Sequence, residues 1–170
     1  MRRAVFGRNL KVTLLRATVW AAVFLVVFKF VLLPIRVTGI SMEPAYHDHS
    51  VNLVNELAYL WHIPQRGDVV AIRFIQTDGE ISRLEPPHVM LLKRIIGLPG
   101  ETVAFANGRV LINGKILDEP YEKTDCDWNS APVTLGPDQY YVGGDNRSMP
   151  SEDHVHGQCE RNQIVGKALL

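Results

Sequence analysis

Acidic residues are missing from the first 42 positions; the earliest is Glu43, whereas Arg2, Arg3, Arg8, Lys11 and Arg16 all precede the apolar run Ala17–Phe28. A one-sided basic flank of this kind argues against a core helix in a soluble protein and sets the N-terminus on the cytoplasmic side of a membrane. Net charge is also lacking, since 18 basic residues balance 18 acidic ones, and this removes any electrostatic reason to expect nucleic acid as a partner. Cysteine is scarce. Cys126 and Cys159 are too far apart for a CxxC metal site and do not by themselves establish a bridge, although the pairing stays open. No internal repeat or low-complexity stretch is present, and 170 residues suffice for one modest core plus a membrane segment.

The apolar run continues after Lys29 from Phe30 to Ile35, approaching the roughly 20 residues that a spanning helix needs. Lys29 either snorkels to the outer interface or marks the end of the helix. A cleavable signal peptide is the rival reading, but no small-x-small site follows and the chain passes directly through Pro34. The expected organisation is a basic cytoplasmic terminus over 1–16, an uncleaved transmembrane anchor over 17–35 and an extracytoplasmic domain over 36–170, with an insertion around 107–138.

Beyond the anchor the signals are those of short strands. Residues 35–40 alternate well enough for a strand that delivers Ser41 at its end, and 50–55 is a second strand, followed by a helical turn over 56–62 that Pro64 stops. Arg66-Gly67-Asp68 opens the β-favouring run 69–74. Residues 76–87 read as a polar loop before the long run 88–96. Asn107-Gly108 and Asn113-Gly114 divide residues 102–117 into a meander of hairpins, residues 118–136 read as irregular, and 139–142 as a strand. The fold class is therefore mostly β and antiparallel.

Two residues carry the candidate chemistry. Ser41 lies in Thr38-Gly39-Ile40-Ser41-Met42-Glu43-Pro44, and Lys93 follows 52 positions later in Leu91-Leu92-Lys93-Arg94-Ile95-Ile96-Gly97-Leu98-Pro99-Gly100. A serine hydroxyl needs a base to take its proton, and a lysine amine serves only when its surroundings favour the neutral form. Leu91 and Ile95 share a strand face with Lys93, so burial would bring its pKa from about 10.4 toward about 7–8, a cost of roughly 4 kcal/mol.

These blocks resemble the type I signal peptidase family of membrane-anchored Ser/Lys proteases. Gly39–Pro44 is similar to its serine box, Lys93–Val103 to its lysine box and Gly144-Asp145-Asn146-Arg147 to its third, in the family's order. The resemblance implies a β-rich protease domain with a smaller β insertion. It also implies Ser41 as nucleophile, Lys93 as general base and no cofactor or metal. The implied partners are the lipid bilayer of a bacterial cell and secretory preproteins with small residues before the cut, bound as an added strand. Asp145, Asn146 and Arg147 are expected to hold the site together by buried hydrogen bonds and a charge pair. Met42 is expected to pack beside the nucleophile, and Arg94 to face away from Lys93 and serve structure or lipid headgroups.

The chain departs from the family pattern after Arg147. Aligned without gaps, the family's serine, aspartate and arginine positions fall on Pro150, Glu152 and His154; a one-residue shift, which is preferred, matches Ser151 and Asp153 to the serine and aspartate. Gly39 stands where some members carry a hydroxyl donor to the oxyanion, which leaves the Ser41 N–H as the first donor. His47-Asp48-His49 and His154-Val155-His156 have a spacing that suits a metal on a strand, yet they form no closed set of four ligands and read as exposed loop histidines. The rival readings are an inactive membrane-anchored binding protein of the same fold and a soluble Ser/Lys self-cleaving protease. Intact Ser41 and Lys93 weigh against the first and the basic-flanked anchor against the second.

Overall fold

The computed structural model describes residues 9–74, 89–121 and 126–169. Arg2, Arg3 and Arg8 of the basic terminus, and the whole of the loop expected over 76–87, lie outside these. An α-helix, α1 (Leu10–Phe30), comes first and buries none of its residues. Its length and apolar composition are enough to cross a membrane. The helix ends earlier than the anchor expected over 17–35, because Leu32–Arg36 forms strand β1. Hydropathy runs on unbroken through Leu32 and Leu33, but the backbone of this stretch is claimed by a neighbouring strand, β2 (Val51–Asn55).

The other strands are β3 (Val69–Phe74), β4 (Val89–Gly97), β5 (Thr102–Ala106), β6 (Arg109–Ile112), β7 (Lys115–Ile116), β8 (Ser130–Thr134), β9 (Gln139–Gly143), β10 (Gly157–Glu160) and β11 (Ile164–Leu169). They make a seven-stranded sheet in the order β1-β2-β11-β3-β4-β9-β10 and a four-stranded sheet in the order β7-β6-β5-β8, antiparallel throughout. The antiparallel β-rich domain expected from the sequence is thus the observed fold. One row of the large sheet runs from Leu32 through Asn55, Lys167 and Val70 to Lys93.

The two Asn-Gly turns form as expected, with Asn107, Gly108, Asn113 and Gly114 all at positive φ, the conformation that a two-residue hairpin loop demands. The small sheet spans Thr102–Thr134, so it opens earlier than the insertion expected from 107, and β8 lies within the stretch expected to be irregular. β8 is an edge strand with Pro132 in it and hardly any buried side chains, so it shows no alternation to read.

Three apolar clusters hold the domain. Met42, Tyr46, Val54 and Leu92 belong to the first, and Val70, Ile72, Ile95 and Val142 to the third. The second joins Ile96 and Tyr141 of the large sheet to Val103, Phe105 and Trp128 from the β5–β8 region. Cys126 packs against that second cluster, while Cys159 is a free buried thiol in the third, so the bridge left open by the sequence is not made.

Candidate active site

The strand expected to deliver Ser41 stops at Arg36, and a turn completes the delivery. Val37 N–H donates to Ser50 O at 2.9 Å and His49 N–H to Val37 O at 3.0 Å. Gly39 then takes φ +92°, a left-handed conformation natural to glycine, with its N–H on Asp48 Oδ1 at 2.8 Å. This is why glycine suits the position. Met42 is buried directly after Ser41 and belongs to the first core, as expected.

Lys93, in mid-β4, is 3% exposed, and its Nζ hydrogen-bonds Ser41 Oγ at 2.9 Å. The two residues singled out from the sequence are therefore in contact across 52 positions. Burial lowers the Lys93 pKa to about 8, against an opposing pull from the Asp145 carboxylate. A neutral amine beside a serine hydroxyl can accept its proton, and that is the chemistry this pair can perform.

The next residue on β4 turns to other work. Arg94 donates Nε to Asp145 Oδ1 at 2.7 Å and NH2 to Oδ2 at 2.5 Å, a buried two-point pair, and NH1 to Gly67 O at 2.7 Å. Of its two expected roles the structural one is observed; a side chain this buried cannot meet lipid headgroups. The loop after β9 closes on Ser41 from behind: Asn146 N–H donates to Ser41 O at 3.1 Å and Asn146 Nδ2 to Ile40 O at 3.2 Å. Arg147 donates Nε to Gly144 O at 2.7 Å and NH2 to Glu119 Oε1 at 2.7 Å. Asp145, Asn146 and Arg147 thus make the buried network that the resemblance implies.

The departures after Arg147 resolve differently from expectation. Ser151 starts a single 3-10 turn, Ser151–Asp153, and its hydroxyl faces Glu152 at 3.3 Å, so the preferred one-residue shift brings no serine to Lys93. The buried residue is His154, the arginine position of the ungapped match. It is 3% exposed, accepts the Gly144 N–H on Nε2 at 2.8 Å, and meets the Trp128 ring edge-on at 4.8 Å. Burial foremost, then the charge of Lys93, lowers its pKa to about 3. His156 stacks on the Trp128 ring at 4.7 Å, so neither is the exposed loop histidine expected; His47 and His49 are exposed. Sequence reasoning also passed over Glu119 and Tyr121. Tyr121 donates to Glu119 at 2.9 Å and lies 4.2 Å under the Arg94 guanidinium, contacts that no local pattern announces.

A small cleft opens beside Ser41, lined by Ile35, Val37, Thr38, Met42 and Leu92, with a volume of about 20 Å³, room for about one water-sized group. Thr38 reaches it because the strand ends before it and the chain bends at Gly39.

Residues 10–170 match the family model for signal peptidase, peptidase S26. The chain belongs to that family. Signal peptidase I of Leptolyngbya laminosa is 35% identical over 130 residues, covering 76% of this chain and 63% of its own, and one from Bacillus amyloliquefaciens is 35% identical over 164 residues, covering 89% and 82%. A crystal structure of a signal peptidase I from Enterococcus faecalis superposes with a TM-score of 0.43 at 26% identity, covering 62% of this chain and 96% of that one. The chain spans about three-fifths of the length of the Leptolyngbya laminosa protein and of a probable signal peptidase I-2 from Synechocystis. The signal peptidase match takes in α1 together with both sheets.

Proposed function

We propose that this chain is a membrane-anchored serine endopeptidase that removes signal peptides from exported preproteins, with Ser41 as nucleophile and Lys93 as general base. The observation that carries the reading is the 2.9 Å contact between Lys93 Nζ and Ser41 Oγ, made by a lysine whose pKa is lowered to about 8.

Ser41 Oγ bonds to the scissile carbonyl carbon as its proton passes to Lys93 Nζ. The oxyanion draws on the Ser41 backbone N–H. Collapse breaks the C–N bond, and the Nζ proton goes to the departing amine. Water then gives a proton to Nζ and its oxygen to the acyl carbon, the ester bond breaks, and Ser41 recovers its proton from Lys93. The small cleft supports a preference for small side chains just before the cut, with the peptide laid along the site as an added strand. The bare apolar surface of α1 and the acid-free basic flank support an anchor with a cytoplasmic N-terminus and an extracytoplasmic domain in a bacterial membrane.

The test is cleavage of a preprotein bearing an Ala-x-Ala site by the full-length protein in lipid, alongside Ser41→Ala prepared identically, with the cut located by product mass. Processing by the parent alone is expected. Folded parent that leaves the preprotein whole would sink the reading in favour of an inactive binding protein.

A further inference from the structure

β1 is an end strand of the seven-stranded sheet, and among the described residues only β2 pairs with it. Its side chains alternate. Ile35 is half-buried, Arg36 is exposed, and Val37, just past the strand, is 6% exposed. All three line the cleft beside Ser41, together with Met90 and Leu91 of β4. Other arginines of the domain are spent inside the fold, Arg66 on Glu101, Arg94 on Asp145 and Arg147 on Glu119. The Arg36 guanidinium has no hydrogen-bond or ion-pair partner among the described residues. Asp48, in the link from β1 to β2, turns its Oδ1 instead to the Gly39 N–H at 2.8 Å and the His49 N–H at 2.9 Å. A full positive charge therefore stands unneutralised at the rim of the cleft.

A peptide laid along β1 as an added strand keeps the alternation of the strand it joins, and neighbours across a ladder share a face. The residue just before the cut, and the one two positions ahead of it, then point with Val37 and Ile35 into the cleft. The residue between them points outward, onto the face that carries Arg36. A carboxylate at that place meets an unpaired cation, and a lysine or arginine meets like charge.

We infer that Arg36 reads the middle residue of the small-x-small site, favouring Asp or Glu there and disfavouring Lys or Arg. This rests on the peptidase reading and adds a substrate class to it: preproteins with an acidic residue one position ahead of the last residue of the signal peptide. The cleft limits the size of the two residues that enter it, and Arg36 sorts by charge the one that does not.

The test gives the full-length protein, in a non-ionic detergent, three preproteins that differ at one residue and carry Ala-Glu-Ala, Ala-Gln-Ala or Ala-Lys-Ala before the cut. In the parent, kcat/KM is expected to fall in the order Glu, Gln, Lys by about two- to fivefold per step, the scale of an exposed ion pair, and added salt should narrow the spread. Arg36→Glu is expected to reverse the order and Arg36→Gln to erase it. An order that persists in Arg36→Glu would overturn the inference, as would equal cleavage of all three preproteins by the parent. A loss in Arg36→Gln that is equal for the three and seen only in phosphatidylglycerol vesicles would give the guanidinium to lipid headgroups, which also overturns it. Folded parent that cuts none of the three counts against the peptidase reading itself, and the inference goes with it.

Discussion

The lowered pKa of Lys93, which brings the neutral amine within reach near neutral pH, comes at a cost to the fold. Its pKa in the unfolded chain is 10.5 and in the folded one about 8, so below pH 8 both states carry the proton and the whole penalty of burial is present. The penalty is relieved as pH rises from about 8 to 10.5. Lys93→Met should therefore stabilise the protein at pH 7 by up to about 3 kcal/mol while abolishing cleavage, a result read by thermal unfolding and peptide assay in parallel. In the parent, kcat/KM should rise about tenfold per pH unit toward pH 8 and then level off, following the neutral amine. His154 acts with the same sign in a lower pH window. Because it is buried neutral with a folded pKa of about 3, against 6.5 when free, stability should fall by about 1.4 kcal/mol per pH unit as the medium is acidified below 6.5. His154→Gln, which can still accept the Gly144 N–H, should flatten that slope in urea titrations at pH 7 and pH 4.5.

At the scale of elements, β4 serves two functions through its alternation: Lys93 reaches Ser41, and Arg94 locks the loop after β9 through Asp145. That loop is packed so closely that a side chain at Gly144 would collide with the Ser41 carbonyl and the His154 ring. Gly144→Ala should push Ser41 off Lys93 and lower kcat/KM by at least about tenfold, read by peptide assay. The sequence revealed elements governed by short-range rules. The Asn-Gly turns, β3 and β4, and the three boxes around Ser41, Lys93 and Gly144 were all legible. It hid those decided at long range. Helix and strand look alike across Phe30–Ile35 because both are apolar, and only pairing with β2 ends the helix. The role of His154 depends on Trp128 and Gly144, and nothing in the residues beside it carries that information.

On the scale of the whole molecule the two sheets are bound together at the active site. Glu119, just past the meander, pairs with the fully buried Arg147 guanidinium, and Trp128 donates to Met149 O at 2.8 Å. Glu119→Ala strips a buried cation of this carboxylate and should cost about 3–5 kcal/mol, measurable as an earlier thermal transition. The small sheet is thus a brace for the catalytic loop.

The row that joins Leu32 to Lys93 also measures a distance. It crosses four strand gaps, from β1 through β2, β11 and β3 to β4, and at about 4.8 Å each that is about 19 Å between Leu32, just past the end of α1, and Lys93. Packed helices stand about 8–10 Å apart, so on the proposed reading a preprotein's apolar segment below Lys93 would keep a lane one helix wide between itself and α1. An anchor placed so would moor the protein without touching its cargo, and exchanging α1 for another apolar helix of the same length is expected to leave cleavage intact.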